Sequence, residues 1–304
     1  MKRQLDVMIG NSSGNVTIMV LTPAERSEYA SIACSLLENQ LLDGEQVAFV
    51  LEDRMEMCGL EFCGNASRAY ALWNASRIGL LTDVVSLHEK DDEGNKTSDD
   101  SASAQLTVSV SGCNHPLTAR IFSPARNRDI DDSDKTASAP VLSATVEMDM
   151  PVPSEARMLT REELGISRDG LLVDMDGISH LVLTDVAPSA ELFDSVRNRL
   201  YHDLGMDMAA FGIMFCDTVN RLMTPVVYVR DVDTTYFEGS CASGSVAASY
   251  ALAMDKPDGV HSFVLQQPEG VLSTAVTKEN GDVVKIALKG SVSISDMISI
   301  DLEY

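Results

Sequence analysis

The N-terminal residues alternate polar and apolar side chains, break at Gly10-Asn11-Ser12-Ser13-Gly14-Asn15 and resume as the apolar run 16–21. That pattern predicts a strand, a turn and a second strand. Thr22-Pro23-Ala24-Glu25 then reads as a helix start, with Thr22 as N-cap, Pro23 at the first position and Glu25 in the capping-box place, for a helix reaching about residue 38. The run 46–51 predicts a strand, and Met57-Cys58-Gly59 a turn into Glu61-Phe62-Cys63-Gly64-Asn65-Ala66-Ser67-Arg68. The Ala-rich apolar stretch from residue 66 reads as a buried helix ending near Gly79. Residues 84–88 and 106–110 read as strands split by an acidic loop, 117–122 as another, and 123–140, with Pro124, Pro140 and an Asp cluster, as a linker.

The second half repeats this order. Residues 171–175, a turn at Asp176-Gly177-Ile178-Ser179 and 180–184 match the first hairpin; Pro188 opens a helix to about residue 204, and 211–216 match 46–51. After an extra apolar segment, 226–232, Gly239-Ser240-Cys241-Ala242-Ser243-Gly244-Ser245 leads into a second Ala-rich run. The offsets are 167 from Gly10 to Gly177, 165 from Pro23 to Pro188, 165 from Gln46 to Phe211 and 178 from Cys63 to Cys241, the surplus falling in one insertion. We therefore expect an α+β fold of two pseudo-symmetric domains, each a curled mixed or antiparallel sheet around a central helix, with an active site in the cleft between them. Residues 1–135 would form the N-terminal α/β domain, to which the strand 291–304 returns, and 141–290 the C-terminal one.

Both Cys63 and Cys241 fall at helix N-termini. There unpaired N–H groups and the positive end of the helix dipole stabilise a thiolate and can hold a carboxylate. The plainer readings are a small buried hydrophobe, a structural disulfide or a phosphate loop; the last lacks the Lys-Ser/Thr that should follow the small residues. Two matched cysteines on an amino acid would supply a base on one face of Cα and an acid on the other, so inversion would need no cofactor.

Composition narrows the field. The chain of 304 residues carries a net charge of −23 and is 45% apolar, which argues against nucleic acid and anionic membrane as partners. The acidic runs 89–100 and 129–134 read as solvated loops without EF-hand spacing. Six cysteines and five histidines show no metal-ligand spacing. With no signal-peptide core and no apolar run of spanning length, we expect a cytoplasmic protein whose cysteines are reduced.

These motifs, with Asn11-Ser12-Ser13-Gly14-Asn15-Val16-Thr17-Ile18, Ser27-Glu28-Tyr29-Ala30-Ser31-Ile32-Ala33, Glu45-Gln46-Val47, Val110-Ser111-Gly112-Cys113 and Gln267-Pro268, resemble the diaminopimelate-epimerase-fold family of cofactor-independent amino-acid racemases and epimerases. The first hairpin and the Glu-Gln-Val segment point to its histidine-racemase branch, of staphylopine-type metallophore biosynthesis. The resemblance implies that Cys63 and Cys241 are the two bases and that the amides of Gly64, Asn65, Ala242, Ser243 and Gly244 hold the α-carboxylate. It implies that Asn15, Glu45 and Gln46 line the substrate, Glu45 engaging a basic imidazole. Asn15 as a turn residue and Glu45 as a solvated charge are alternatives. His180 matches a hairpin histidine of the family and is as much a candidate core residue as a site residue.

Where diaminopimelate enzymes carry a Glu-Arg pair, this chain has Val229-Arg230, leaving Arg230 as a candidate contact; where they carry a strand Asn, it has Gly212. Both departures disfavour diaminopimelate, and Ala242 stands where the family has Gly. The expected function is a two-base, cofactor-independent racemase interconverting L- and D-histidine, acting on the free amino acid, with a homodimer left open. The alternatives are a racemase or epimerase of another amino acid, or a non-catalytic amino-acid-binding or redox module.

Overall fold

The computed structural model describes residues 2–39, 42–81, 85–86, 104–126, 142–175, 177–230 and 234–303. Both acidic runs, most of the strand expected at 84–88 and most of the linker lie outside them. The elements in order are β1 (Lys2–Ser12), β2 (Asn15–Val20), α1 (Tyr29–Leu37), β3 (Gln46–Val50), β4 (Arg54–Met57), α2 (Gly64–Arg77), β5 (Val85–Ser86), β6 (Ala104–Val110), β7 (Leu117–Arg126) and β8 (Leu142–Met150). There follow β9 (Glu155–Leu159), α3 (Arg161–Leu164), β10 (Gly170–Met175), β11 (Ile178–Thr184), α4 (Ala190–Asn198), β12 (Ala210–Asp217), β13 (Leu222–Val229), β14 (Thr234–Phe237) and α5 (Ala242–Ala253). The chain closes with β15 (Gly259–Gln266), β16 (Val271–Glu279), β17 (Asp282–Ile294) and β18 (Ile298–Glu303). Two compact units emerge: Met1–Met148 with Lys289–Tyr304, and Asp149–Leu288.

In the first unit β1 and β2 form an antiparallel hairpin with Ser12 opposite Asn15. The two turn residues, Ser13 and Gly14, have φ of 57° and 94°, the left-handed pair that a tight hairpin needs. The turn glycine is therefore Gly14, not Gly10. Gly10 stays in β1 opposite Thr17, where a Cβ would come within 2.7 Å of the Ala69 Cβ on α2, so its small size permits close helix–sheet packing. From β2 the chain crosses through α1 to β3, parallel to β2 with Gln46 opposite Thr17. Tyr29, Ile32, Ala33 and Leu36 line the buried face of α1 against Val7, Ile18, Val20 and Phe49, and the Tyr29 ring stacks on Phe49 at 3.7 Å. Thr22 does not cap this helix. Its hydroxyl accepts the Asp6 N–H at 2.8 Å, residues 21–25 stay non-helical, and the helical path starts with a 3₁₀ turn at Arg26–Glu28.

The second unit has the same order. The β10–β11 hairpin turns at Gly177, φ 86°, and α4 crosses to β12, parallel to β11 with His180 opposite Gly212. α4 begins at Ala190, two residues after Pro188, because Ser189 is its N-cap, the hydroxyl accepting the Leu192 N–H at 3.1 Å. Phe193 and Val196 of α4 pack with Leu181, Leu183, Phe211 and Ile213. In each unit the cysteine-led helix, α2 or α5, is mostly buried, and small residues (Ala66, Ala69, Ala75; Ala247, Ala248, Ala253) let the strands approach it. No helix among the described residues is long and apolar enough to cross a membrane.

Candidate active site

Cys63 is the N-cap of α2, with φ −129°, ψ 108°, and its Sγ accepts the Ala66 N–H at 3.4 Å. Cys241 is the N-cap of α5, with φ −124°, ψ 115°, and its Sγ accepts the Gly244 N–H at 3.3 Å. Sulfur thus takes the place usually held by a Ser or Asp oxygen, and a thiolate there meets the positive end of the helix. In both, the residue four on returns a hydroxyl to the cysteine carbonyl: Ser67 at 2.7 Å and Ser245 at 2.6 Å.

The approach to Cys63 is fixed from β6. The Ser111 hydroxyl accepts the Met57 N–H at 2.9 Å and donates to the Glu61 carbonyl at 2.8 Å. Gly112, φ 65°, lies so close that a Cβ would sit 2.2 Å from the Phe62 nitrogen. The corresponding clamp on Cys241 is Gln267, buried, whose Oε1 accepts the Cys241 N–H at 2.8 Å while Nε2 donates to Ser245 Oγ at 3.0 Å. The sequence pattern contains Ser111 and Gln267 but does not tell their roles, because each acts through backbone groups of a loop remote in sequence.

Around Cys63 the structure gathers Asn15, Glu45 and Gln46. The Gln46 amide nitrogen lies 3.2 Å from Cys63 Sγ, 2.7 Å from Asn15 Oδ1 and 2.8 Å from Thr17 Oγ1, and its oxygen lies 3.5 Å from the same sulfur. One amide can donate to a thiolate through Nε2 or accept from a thiol through Oε1. Asn15, 2% exposed, donates to Glu45 Oε2 at 3.1 Å, so its side chain ties β2 to the start of β3 besides flanking the turn. Glu45 itself is exposed, and its N–H bonds the Val16 carbonyl. Gly64 and Asn65 occupy the first turn of α2; Asn65 Oδ1 accepts from Arg68 Nη2 at 2.9 Å. Arg68 is 0% exposed, and its Nε and Nη1 have no partner. Burial lowers its pKa to about 10, an effect opposed by the Cys63 thiolate.

Around Cys241 lie Ala242, Ser243 and Gly244, all buried in the first turn of α5. A Cβ at Gly244 would come within 2.1 Å of Met214 Sδ and 3.1 Å of Cys241 Sγ, so a side chain there would have to push the Met214 thioether aside. The Cβ of Ala242 is accommodated, with 2% exposure. Burial raises the Cys241 thiol well above its usual range and Glu238 adds to this, while the Gly244 N–H and the Ser243 hydroxyl oppose it. His180 is fully buried, its Nε2 2.9 Å from Ser243 Oγ. Arg230, by contrast, is exposed and ion-paired with Asp207. Burial pushes Cys58 up to about 11 and Cys216 up to about 12, which leaves both as inert thiols at neutral pH. Among the described residues no three His, Cys, Asp or Glu side chains converge to hold a metal ion.

The chain matches the family described as the histidine racemase CntK N-terminal domain over residues 4–297. It belongs to the histidine racemase family. A histidine racemase of Fusobacterium nucleatum is 26% identical over 301 residues, covering 95% of this chain and 97% of that protein. One from Staphylococcus aureus is 24% identical over 297 residues, covering 93% and 92%. Among solved structures, a hydroxyproline epimerase from Agrobacterium vitis with bound trans-4-hydroxy-L-proline superposes with a TM-score of 0.55 at 10% identity, covering 98% of this chain and 92% of that one. The racemase family fits a chain with two cysteine-capped helices, and the structural likeness extends the shared α+β fold to epimerases.

Proposed function

We propose that this protein interconverts L- and D-histidine by a two-base reaction that needs no cofactor, with Cys63 and Cys241 acting on one substrate. The observation that carries the reading is the repeated thiol N-cap: in a histidine racemase family member, two cysteines sit in nearly identical dihedral and hydrogen-bond settings, each at the start of a helix. We likewise take each unit to be a sheet curled around its cysteine-led helix, the diaminopimelate-epimerase-like arrangement.

On this reading the α-carboxylate binds the amides of Gly64, Asn65, Ala242, Ser243 and Gly244, whose fixed dipoles also stabilise the carbanion as charge moves onto the carboxylate. One cysteine takes the α-proton as thiolate while the other delivers a proton as thiol, and the roles reverse for the other enantiomer. Both settings serve both states. Gln46 can donate to or accept from Cys63. Cys241 can accept from Gly244 and Ser243 as a thiolate, or donate to Glu238 as a thiol. Glu45, steadied by Asn15, is the carboxylate offered to an imidazole N–H. Arg230 is the weaker of the substrate contacts, since Asp207 already engages it. The same reading makes the protein cytoplasmic and its product a metallophore precursor.

Reduced protein incubated with L-histidine and a panel of other amino acids, followed by chiral chromatography, tests it. D-histidine is the expected product, absent with Cys63→Ser and Cys241→Ser. Turnover of another amino acid alone would replace the substrate, and no turnover with any would contradict the racemase.

A further inference from the structure

The first unit runs from β4, which ends at Met57, directly into the Cys63 loop, whereas the second interposes β14 between β13 and Cys241. Strand pairing fixes which way β14 points its side chains. Phe211 and Ile213 of β12 and Val226 and Tyr228 of β13 face the core under α4, so the alternate residues Gly212, Met214 and Val227 face α5, as the closeness of Met214 to Gly244 requires. Tyr236 stands opposite Val227, in one cross-strand row with Gly212 and His180, and shares their face. Thr235, opposite Tyr228, takes the other face, where its hydroxyl accepts from Arg197 of α4 at 3.3 Å. The Glu238 N–H bonds the Pro225 carbonyl at 3.1 Å, which carries the ladder just past β14 and puts Glu238 on the same face as Tyr236. The Glu238 carboxylate engages the Cys241 thiol.

Along that row His180 and Val227 are buried, but Tyr236 is 44% exposed, and among the described residues its ring stacks on no other aromatic side chain. A large ring on the inner face of a sheet, open to solvent and close in sequence to the carboxylate that touches the thiol, borders a space and not a core. From Tyr236 to Glu238 the extended chain spans about 7 Å, a gap that a tyrosine side chain can bridge. We infer that Tyr236 is a specificity-determining residue, its ring forming the wall against which the substrate's imidazole lies at Cys241. This deepens the histidine reading and rests on it for the ligand. An imidazole held at its edge N–H by a carboxylate, the part given to Glu45, leaves its faces for stacking. Offset ring pairs add attraction beyond the area they bury, which an aliphatic side chain on the substrate would forgo. Because the stack is made at the side chain and not at Cα, it holds substrate and transition state alike.

Such uniform binding has its own kinetic signature, read from turnover of L-histidine by chiral chromatography. Tyr236→Leu should raise KM by about three- to tenfold and leave kcat within about twofold, while Tyr236→Phe should keep both near the wild type. A merely structural role would show instead as a fall in kcat, because displacing β14 moves Glu238 against Cys241. In a Cys63→Ser background, without turnover, the imidazole protons of bound L-histidine should move upfield in proton NMR. That shift should persist with Tyr236→Phe and be lost with Tyr236→Leu. Unchanged KM in a folded Tyr236→Leu protein, a loss confined to kcat, or a Tyr236→Phe protein as weakened as Tyr236→Leu would each overturn the inference. Wild-type racemisation is measured in the same assay, so failure here is distinguishable from failure of the racemase reading.

Discussion

Gln46 offers Cys63 a partner in either protonation state, so its loss should be felt in turnover more than in stability. Gln46→Leu is expected to lower kcat by roughly ten- to a hundredfold while leaving the thermal midpoint near that of the wild type, as measured by chiral assay and calorimetry. Arg68 presents the opposite balance. A guanidinium with two unpartnered nitrogens in a dry interior is costly, and an apolar side chain of similar size would relieve that cost. Arg68→Met should match or exceed wild-type stability in urea, yet lose at least about tenfold in kcat/KM, because the hydrogen bond to Asn65 and the positive charge that acts on Cys63 are lost together. His180 predicts an acid limit. Its folded pKa of about 3 lies below the unfolded value of 6.5, so the unfolded chain binds a proton that the native one excludes. Its share of stability is complete above 6.5 and is lost as pH falls through that window. Urea titrations between about pH 6 and pH 4 should show a slope about one proton smaller in His180→Gln than in the wild type. At this scale the two cysteines were legible because a small-residue run after each betrays a helix N-terminus. Their partners were less so: Ser111, Gln267 and Ser243 reach them through backbone groups or a single hydroxyl, and Arg68 reads in the sequence as the ordinary polar residue of a helix.

Among the elements, the clearest test is the contact between Gly112 and the loop entering α2. Gly112→Ala adds a Cβ to a backbone at φ 65° and drives it into the Phe62 nitrogen. A loss of more than about 2 kcal/mol in denaturant unfolding is expected, together with loss of activity as Cys63 shifts. The hydrophobic pattern located most strands and both cysteine-led helices. It passed over β4, since Arg54-Met55-Glu56-Met57 hides a buried carboxylate: Glu56, 1% exposed, is matched by Arg26 at 2.5 Å and by Arg54 at 3.3 Å. It also misplaced two helix starts. Thr22 and Pro188 have the residue types of a helix entrance, but Thr22 is drawn to β1, and Ser189 caps α4 so that the helix starts just past the proline.

For the whole molecule, the internal repeat was readable because both halves keep the order hairpin, crossover helix, parallel strand, cysteine-led helix. The alignment of its hairpins was not: periodicity cannot distinguish a glycine that turns the chain, Gly14, from one that admits a helix, Gly10, and the true correspondence is Gly14 with Gly177. The repeat bears on function because it supplies two separate thiols, and the central claim is that one removes the α-proton while the other replaces it from the opposite face. The most direct test is racemisation of L-histidine in D2O, sampled at low conversion, with the enantiomers separated and their deuterium content measured by mass. The two-base account predicts that the D-histidine formed carries solvent deuterium at Cα while the remaining L-histidine stays almost unlabelled, and that Cys63→Ser and Cys241→Ser each abolish product. Deuterium entering recovered L-histidine as fast as D-histidine appears, or turnover surviving either substitution, would contradict it.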